Sequence, residues 1–221
     1  MTNEEKIKGI VLKQGADLCG IANIDRFGDE PEGFHPTDIY GDCKAVIVFA
    51  KILPKGLAFV NPRIVYKHYN GLCVNEVDKI AYEAANLIER LGCLTVPLPC
   101  DCPLEYWDKD NLCAKGLLSM RHAAVLAGLG SPGKNTLLIN KLYGNFLTIG
   151  AILTDFDLKS DPLAEELCIE NCRLCIDNCP VKALDGKTVN QKLCRPYTYT
   201  TNERGFDVVN CNKCRTICVR K

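Results

Sequence analysis

The chain has 221 residues, with 27 Lys/Arg against 27 Asp/Glu, so it can bury one sizeable core beside a smaller unit. It has no net charge and no basic–aromatic interleaving, which argues against nucleic acid as a partner. Its 15 cysteines are too many for an ordinary intracellular chain, but their spacing is that of metal ligands and not of a secreted disulfide framework, so a reducing compartment is expected. No apolar run approaches the roughly 20 residues that a membrane span needs. The charged start Met1-Thr-Asn-Glu-Glu-Lys6 lacks the apolar stretch of a secretion signal, and a soluble, cytoplasmic protein is predicted.

Thr2-x-x-Glu5 is a capping box that opens an amphipathic helix to about Gln14, with Ile7, Ile10 and Val11 on one face and Gly15 ending it. Residues 18–24 read as a strand. A loop rich in Gly, Pro and acid over 26–41 leads into Lys44-Ala-Val-Ile-Val-Phe-Ala50, whose unbroken apolar run suits a strand buried on both faces. Residues 53–72 have no periodicity and are expected to form a loop, in which Arg63, Tyr66, His68, Tyr69 and Asn70 either line a pocket or pack over the sheet edge. Asn75 is the expected cap of a long helix, apolar at Val77, Ile80, Ala81, Ala84, Leu87, Ile88 and Leu91 and stopped by Gly92. A strand over 93–98 follows. Pro99-Cys-Asp-Cys-Pro103 and Cys113 come next, either a further metal site or buried free thiols, since spacing supplies no fourth ligand.

A helix over 117–127 precedes Gly128-Leu-Gly130-Ser-Pro-Gly133-Lys134-Asn135-Thr136. That nearly matches the phosphate-binding Gly-x4-Gly-Lys-Ser/Thr, with Asn135 where the hydroxyl belongs. The phosphate loop works between a strand and a helix; here a helix precedes and strand-like residues 136–140 follow, so a nucleotide site is not predicted. Two short strands, 146–149 and 151–154, complete the first unit, and an acidic linker over 155–166 leads to the second.

The second unit is organised by Cys168-Ile-Glu-Asn-Cys172-Arg-Leu-Cys175-Ile-Asp-Asn-Cys179-Pro180. One short loop can wrap three thiolates around an iron–sulfur cubane while the cysteine before the proline reaches a second cluster. The required second set is present as Cys194 and Cys211-Asn-Lys-Cys214-Arg-Thr-Ile-Cys218. The first gap is one residue longer than the usual bacterial spacing. The assignment is Cys168, Cys172, Cys175 and Cys218 for one [4Fe–4S] cluster, and Cys179, Cys194, Cys211 and Cys214 for the other. Paired Cys-x2-Cys elements also hold zinc, but zinc sites seldom use Cys-x3-Cys-Pro followed by a helix-like stretch such as Val181-Lys-Ala-Leu184. From Cys168 onward ten Lys/Arg face five Asp/Glu, an excess that serves solubility or offsets anionic thiolate-bound clusters.

The stretch from Arg121 through Gly130 to Ile139, then Tyr143-Gly-Asn-Phe146 and Gly150-Ala-Ile-Leu-Thr154, resembles the core of the epoxyqueuosine reductase family, and the cysteine module resembles the double-cubane domain of the same family. The resemblance runs from about residue 44 to 218 and implies an α+β fold: a nitroreductase-like three-layer N-terminal domain over 1–160 and a small C-terminal double-cluster, ferredoxin-like domain over 161–221. With the related reductive dehalogenases it implies a corrinoid fed by the two clusters. The cobalamin site is then expected near Tyr66, His68 and Tyr69 and along Arg121, Gly128, Gly130, Gly133 and Lys134. The implied activity is a corrinoid-dependent reductase acting on a small molecule and supplied by an electron donor of ferredoxin or flavodoxin type. The alternative is an electron-transfer protein without chemistry of its own.

Two departures point away from epoxyqueuosine. The family's proton-donating Asp, seven residues before the Arg of its Ala-Gly-Leu-Gly segment, corresponds to Ala114, which would leave Asp101, Glu105, Tyr106 or Asp108 to donate. The helical-repeat region that helps longer members hold transfer RNA is also not expected in a sequence that reaches only Lys221.

Overall fold

The computed structural model describes residues 2–218. In chain order its elements are α1 (Asn3–Lys13), β1 (Leu18–Asn23), α2 (Pro36–Ile39), β2 (Ala45–Ile52), α3 (Ile64–Ile88), β3 (Thr95–Leu98), β4 (Tyr106–Asp108), β5 (Cys113–Lys115), α4 (Met120–Leu126), β6 (Ser131–Pro132), β7 (Leu138–Ile139), β8 (Leu147–Thr154), α5 (Leu174–Asp177), α6 (Gln191–Thr198), β9 (Tyr199–Thr201), β10 (Asp207–Val209) and α7 (Lys213–Thr216).

Four strands in the order β1-β2-β8-β3, each pair antiparallel, form the main sheet. Strand alternation divides β2 between two cores. Ala45, Ile47 and Phe49 face Ile7 and Val11 of α1 and Val77, Ile80 and Ala84 of α3. Val46, Val48 and Ala50 face Ala123 and Ala124 of α4, with Leu129 and Leu138 beyond. All six of these β2 residues are fully buried, as the unbroken apolar run predicts. Helices therefore cover both faces, giving a mixed α/β architecture with several two-stranded ribbons around the main sheet. Among the described residues no helix is long and apolar enough to cross a membrane.

Three sequence expectations are corrected. The loop expected over 53–72 is largely helical: α3 starts at Ile64, so Asn75 lies inside it and caps nothing. Tyr66 and Cys73, packed with Leu53 and Val209, bury this added length, so tertiary contact outweighs the weak helix formers Asn70, Gly71 and Asn75. The two strands expected at 146–149 and 151–154 are one, β8, running straight through Gly150. A side chain there would meet Phe49 Cζ at 2.5 Å and Val77 Cγ1 at 2.6 Å, so only glycine lets α3 lie this close to the sheet.

The acidic linker is not loose. Residues 157–161 run along the exposed edge of β1: the Ile21 and Asn23 amides donate to Asp161 Oδ2 (2.9 Å) and Ser160 Oγ (2.8 Å), Asp161 N donates back to Ile21 O (2.9 Å), and Leu158 is buried. An edge strand's unpaired amides need such a cover. The cover also fixes where the chain leaves the sheet for the cysteines. There the C-terminal segment packs directly on the first unit: Gln191 on α6 exchanges two 3.0 Å bonds with the backbone of Ala114, Arg63 Nε donates to Val209 O (3.1 Å), and Asn212 Nδ2 donates to Ala58 O (3.1 Å).

Candidate functional site

The cysteine run folds as a series of tight turns. Cys172 N donates to Ile169 O at 3.0 Å, the single-turn α5 carries Cys175 inward, and Cys179 N closes the next turn onto Ile176 O at 3.2 Å. Ala183 N then donates to Cys179 Sγ at 3.3 Å. Asn190 caps α6 through the Leu193 amide, and α6 brings in Cys194. The β9–β10 hairpin returns the chain to α7, which holds Cys214 between Cys211 and Cys218.

Cys168, Cys172, Cys175 and Cys218 all line one small cavity of about 20 Å³, together with Lys134, Asn135, Ile139, Ile169 and Leu174. Cys218, from the far end of the segment, lines this cavity beside Cys168, Cys172 and Cys175. Cys179, Cys194 and Cys214 meet, with Cys175 of the first set, in an apolar cluster that includes Ala183, Leu184, Val189 and Ile217. Burial, and then the neighbouring Cys211, push the Cys214 thiol up to about 11, with Cys194 and Cys179 adding to the effect. Burial and then Cys168 likewise raise Cys175, with Cys218 contributing. Thiols crowded and buried in this way hold their protons, and a metal that replaces those protons relieves the crowding. Among the described residues no three His, Cys, Asp or Glu side chains draw close enough to hold a single ion. Four sulfurs around one shared cavity are a ligand number that a cubane and a tetrahedral zinc have in common.

The glycine–lysine segment forms the β6–β7 ribbon and stands over this cavity. Lys134 Nζ donates to the carbonyls of Ile169 (3.3 Å), Glu170 and Cys172 (3.3 Å). Buried Asn135 donates to Cys214 O at 3.1 Å and accepts from Leu137 N at 3.2 Å. The three glycines serve chain packing. A side chain on Gly128, whose φ is +73°, would strike Pro162 O; one on Gly130 would strike Ile139 O; one on Gly133 would strike Asn135 Oδ1. Their close approaches are filled by this chain's own atoms and leave no cradle for an external group. Arg121 is exposed and donates to Thr136 O.

The remaining candidates lie apart. Tyr66 is buried under the Arg63 guanidinium, 4.4 Å from its ring centroid, while His68 and Tyr69 stack edge-on at the surface. Cys100 Sγ donates to Val74 O (3.6 Å), and burial raises its pKa, with Asp78 adding to the effect; Cys102 is exposed. Of the suggested proton donors, Asp108 closes its own turn and is held below the usual carboxylate range, first by the Asn111 side chain. It is therefore ionised near neutral pH, the wrong state for an acid. Tyr106 is exposed, with Lys115 5.3 Å from its ring centroid. Sequence reasoning missed Asn135, Gln191 and Asp161. Only Asn135 left a signal, by standing where a phosphate loop needs a hydroxyl.

No family model matches the chain. Over 108 residues it is 34% identical to an epoxyqueuosine reductase of Lactococcus garvieae, covering 43% of this chain and 30% of that one. It is 26% identical to a tetrachloroethene reductive dehalogenase of Desulfitobacterium hafniense over 223 residues, 92% of this chain and 36% of that one. The chain thus spans about a third of the length of these curated relatives. In structure it matches the epoxyqueuosine reductase of Streptococcus thermophilus with a TM-score of 0.70 at 19% identity, covering 99% of this chain and 66% of that one. It matches a reductive dehalogenase, whose structure suggests a mechanism for B12-dependent dehalogenation, with a TM-score of 0.72 at 19% identity, covering 97% of this chain and 31% of that one. The chain has the fold common to these two groups of enzymes and is related in sequence to both.

Proposed function

We propose that the protein binds two [4Fe–4S] clusters and acts as a corrinoid-dependent reductase on a small substrate other than epoxyqueuosine. The observation that carries this reading is the convergence of Cys168, Cys172, Cys175 and Cys218 on one cavity, because spacing had joined Cys218 to that set across 43 residues of chain. The second set, Cys179, Cys194, Cys211 and Cys214, holds the other cluster. When bound, the clusters supply single electrons and the corrinoid the reducing metal, while the protein supplies position, charge and protons.

The chain's own residues have definable tasks in this reading. Ala183 N–H, aimed at Cys179 Sγ, spreads the negative charge of that sulfur and favours the reduced state of its cluster. Cys211 borders an open polar hollow lined by Asn178, Tyr197, Asn210, Asn212 and Lys213, where an acidic carrier of ferredoxin or flavodoxin type would meet a segment that carries excess positive charge. The corrinoid is proposed on the relatives; of the residues expected near it, His68, Tyr69 and Arg121 are exposed, while Tyr66 is buried and Gly128, Gly130, Gly133 and Lys134 are taken up by contacts within the chain. Ala114 contributes no acid, so the proton would come from Asp101, Glu105 or Tyr106.

That missing acid favours a second reading, in which the protein only passes electrons. Anaerobic purification with cobalamin present in the growth medium separates the two. A corrin spectrum with about one cobalt per chain supports the reductase; clusters without cobalt leave the electron carrier.

A further inference from the structure

The segment that imitates a phosphate loop has another use. Its lysine lies between three carbonyl oxygens of the loop that carries Cys168 and Cys172, and it lines the cavity shared by the four cysteines of the first set. Three carbonyls turned toward one ammonium fix the path of residues 169–172, which have no regular secondary structure of their own. The next residue, Asn135, grips Cys214 O in the second set, so one turn of the β6–β7 ribbon touches both halves of the cysteine module. The neighbouring glycine belongs to the same device, because any side chain at Gly133 would displace the Asn135 amide.

We propose that Lys134 is a positioning residue for the first cluster: it holds the Cys168–Cys172 loop in ligating geometry, and its fixed positive charge raises that cluster's reduction potential. This rests on the reading of Cys168, Cys172, Cys175 and Cys218 as cluster ligands. Adding one electron to the cluster makes it more negative by one charge, and a cation held beside it stabilises the product over the reactant. A unit charge at about 4 Å and an effective dielectric of about 20 is worth up to about three orders of magnitude in such an equilibrium, and solvent screening of this partly exposed lysine cuts that to roughly one. For a one-electron couple that is a potential shift of about 59 mV. The second set meets this turn through the Asn135 bond to Cys214 O and not through the lysine, so its cluster is expected to keep its potential.

The test compares the anaerobically reconstituted parent with Lys134→Met, Lys134→Gln and Lys134→Arg, by iron content and by EPR-monitored redox titration with a low-potential chemical reductant. The Met and Gln variants are expected either to lose about half of the iron or to keep it, with one of the two couples made more negative by about 59 mV and the other unmoved. Lys134→Arg, which keeps charge and donors, stays near the parent. In a Cys214→Ala background, where only the first set is complete, the remaining couple carries the shift; in Cys172→Ala it does not. Parent-like iron and potentials in both Met and Gln variants would overturn the role of Lys134 alone, as would an equal shift of both couples or one shared by Lys134→Arg. A parent that takes up no iron would overturn the cluster reading together with it.

Discussion

Asp161 ties the edge of the main sheet to the start of the cysteine module, and its removal has a calculable cost. Its carboxylate accepts the Ile21 amide at 2.9 Å and Lys8 Nζ at 2.6 Å. Ile21 is fully buried, so Asp161→Ala leaves its amide without a partner at about 1–3 kcal/mol. The Lys8 pair is about a quarter exposed on both sides and adds only ~0.2–1 kcal/mol. The sum is about 1–4 kcal/mol for Asp161→Ala. Asp161→Asn keeps an oxygen for the amide and loses only the charge, so it should cost no more than about 1 kcal/mol. Anaerobic urea denaturation followed by far-UV circular dichroism gives both values from the midpoint at unchanged slope. Raising the salt concentration should narrow the gap between parent and Asn but not that between Asn and Ala. An Ala variant within about 0.5 kcal/mol of the parent, or an Asn variant as damaged as Ala, would refute the assignment of the larger share to the buried amide.

The ligand sets should separate by mutation: Cys172→Ala and Cys214→Ala each remove about half of the bound iron, while Cys73→Ala, whose thiol donates to Thr148 Oγ1 at 3.4 Å, leaves it unchanged. Iron halved by Cys73→Ala would contradict the sets. Lys134→Ala should leave ATP binding as negligible as in the parent, since the lysine already serves three carbonyls; millimolar affinity lost in the variant would restore the nucleotide reading. Burial pushes the Cys19 thiol up to about 12, far above the roughly 8.5 of an exposed thiol. Its contribution to stability is complete below about pH 8.5 and fades as pH climbs toward the folded value, so Cys19→Ala should lose stability less steeply than the parent between about pH 8.5 and 10. Parallel alkaline slopes would rule this out.

How much of this was legible from sequence depended on whether a local pattern had a single solution. The capping box at Thr2 and Glu5 forms both of its reciprocal bonds, because three residues suffice to make it. The β2 run was equally plain, since only a strand covered on both faces buries so continuous an apolar stretch. Cysteine spacing was legible as a ligand pattern, and four of the eight thiols line one cavity. What stayed hidden depended on distant partners. The start of α3 is held by Val209, more than a hundred residues away, and nothing between 53 and 72 announces it. Gly150 reads as a strand breaker until Phe49 and Val77 are seen against it. The acidic stretch 155–166 reads as a linker because the exposed edge of β1 that it covers is invisible in sequence. Lys134 was singled out for a resemblance to phosphate loops, but its partners, the carbonyls of residues 169, 170 and 172, leave no trace in side-chain identity.

The central claim is that these eight cysteines bind two cubanes. Iron, acid-labile sulfide and zinc measured together on one anaerobically reconstituted sample test it most directly. The account predicts about eight iron and eight sulfide per chain with negligible zinc; about two zinc per chain with no sulfide would contradict it.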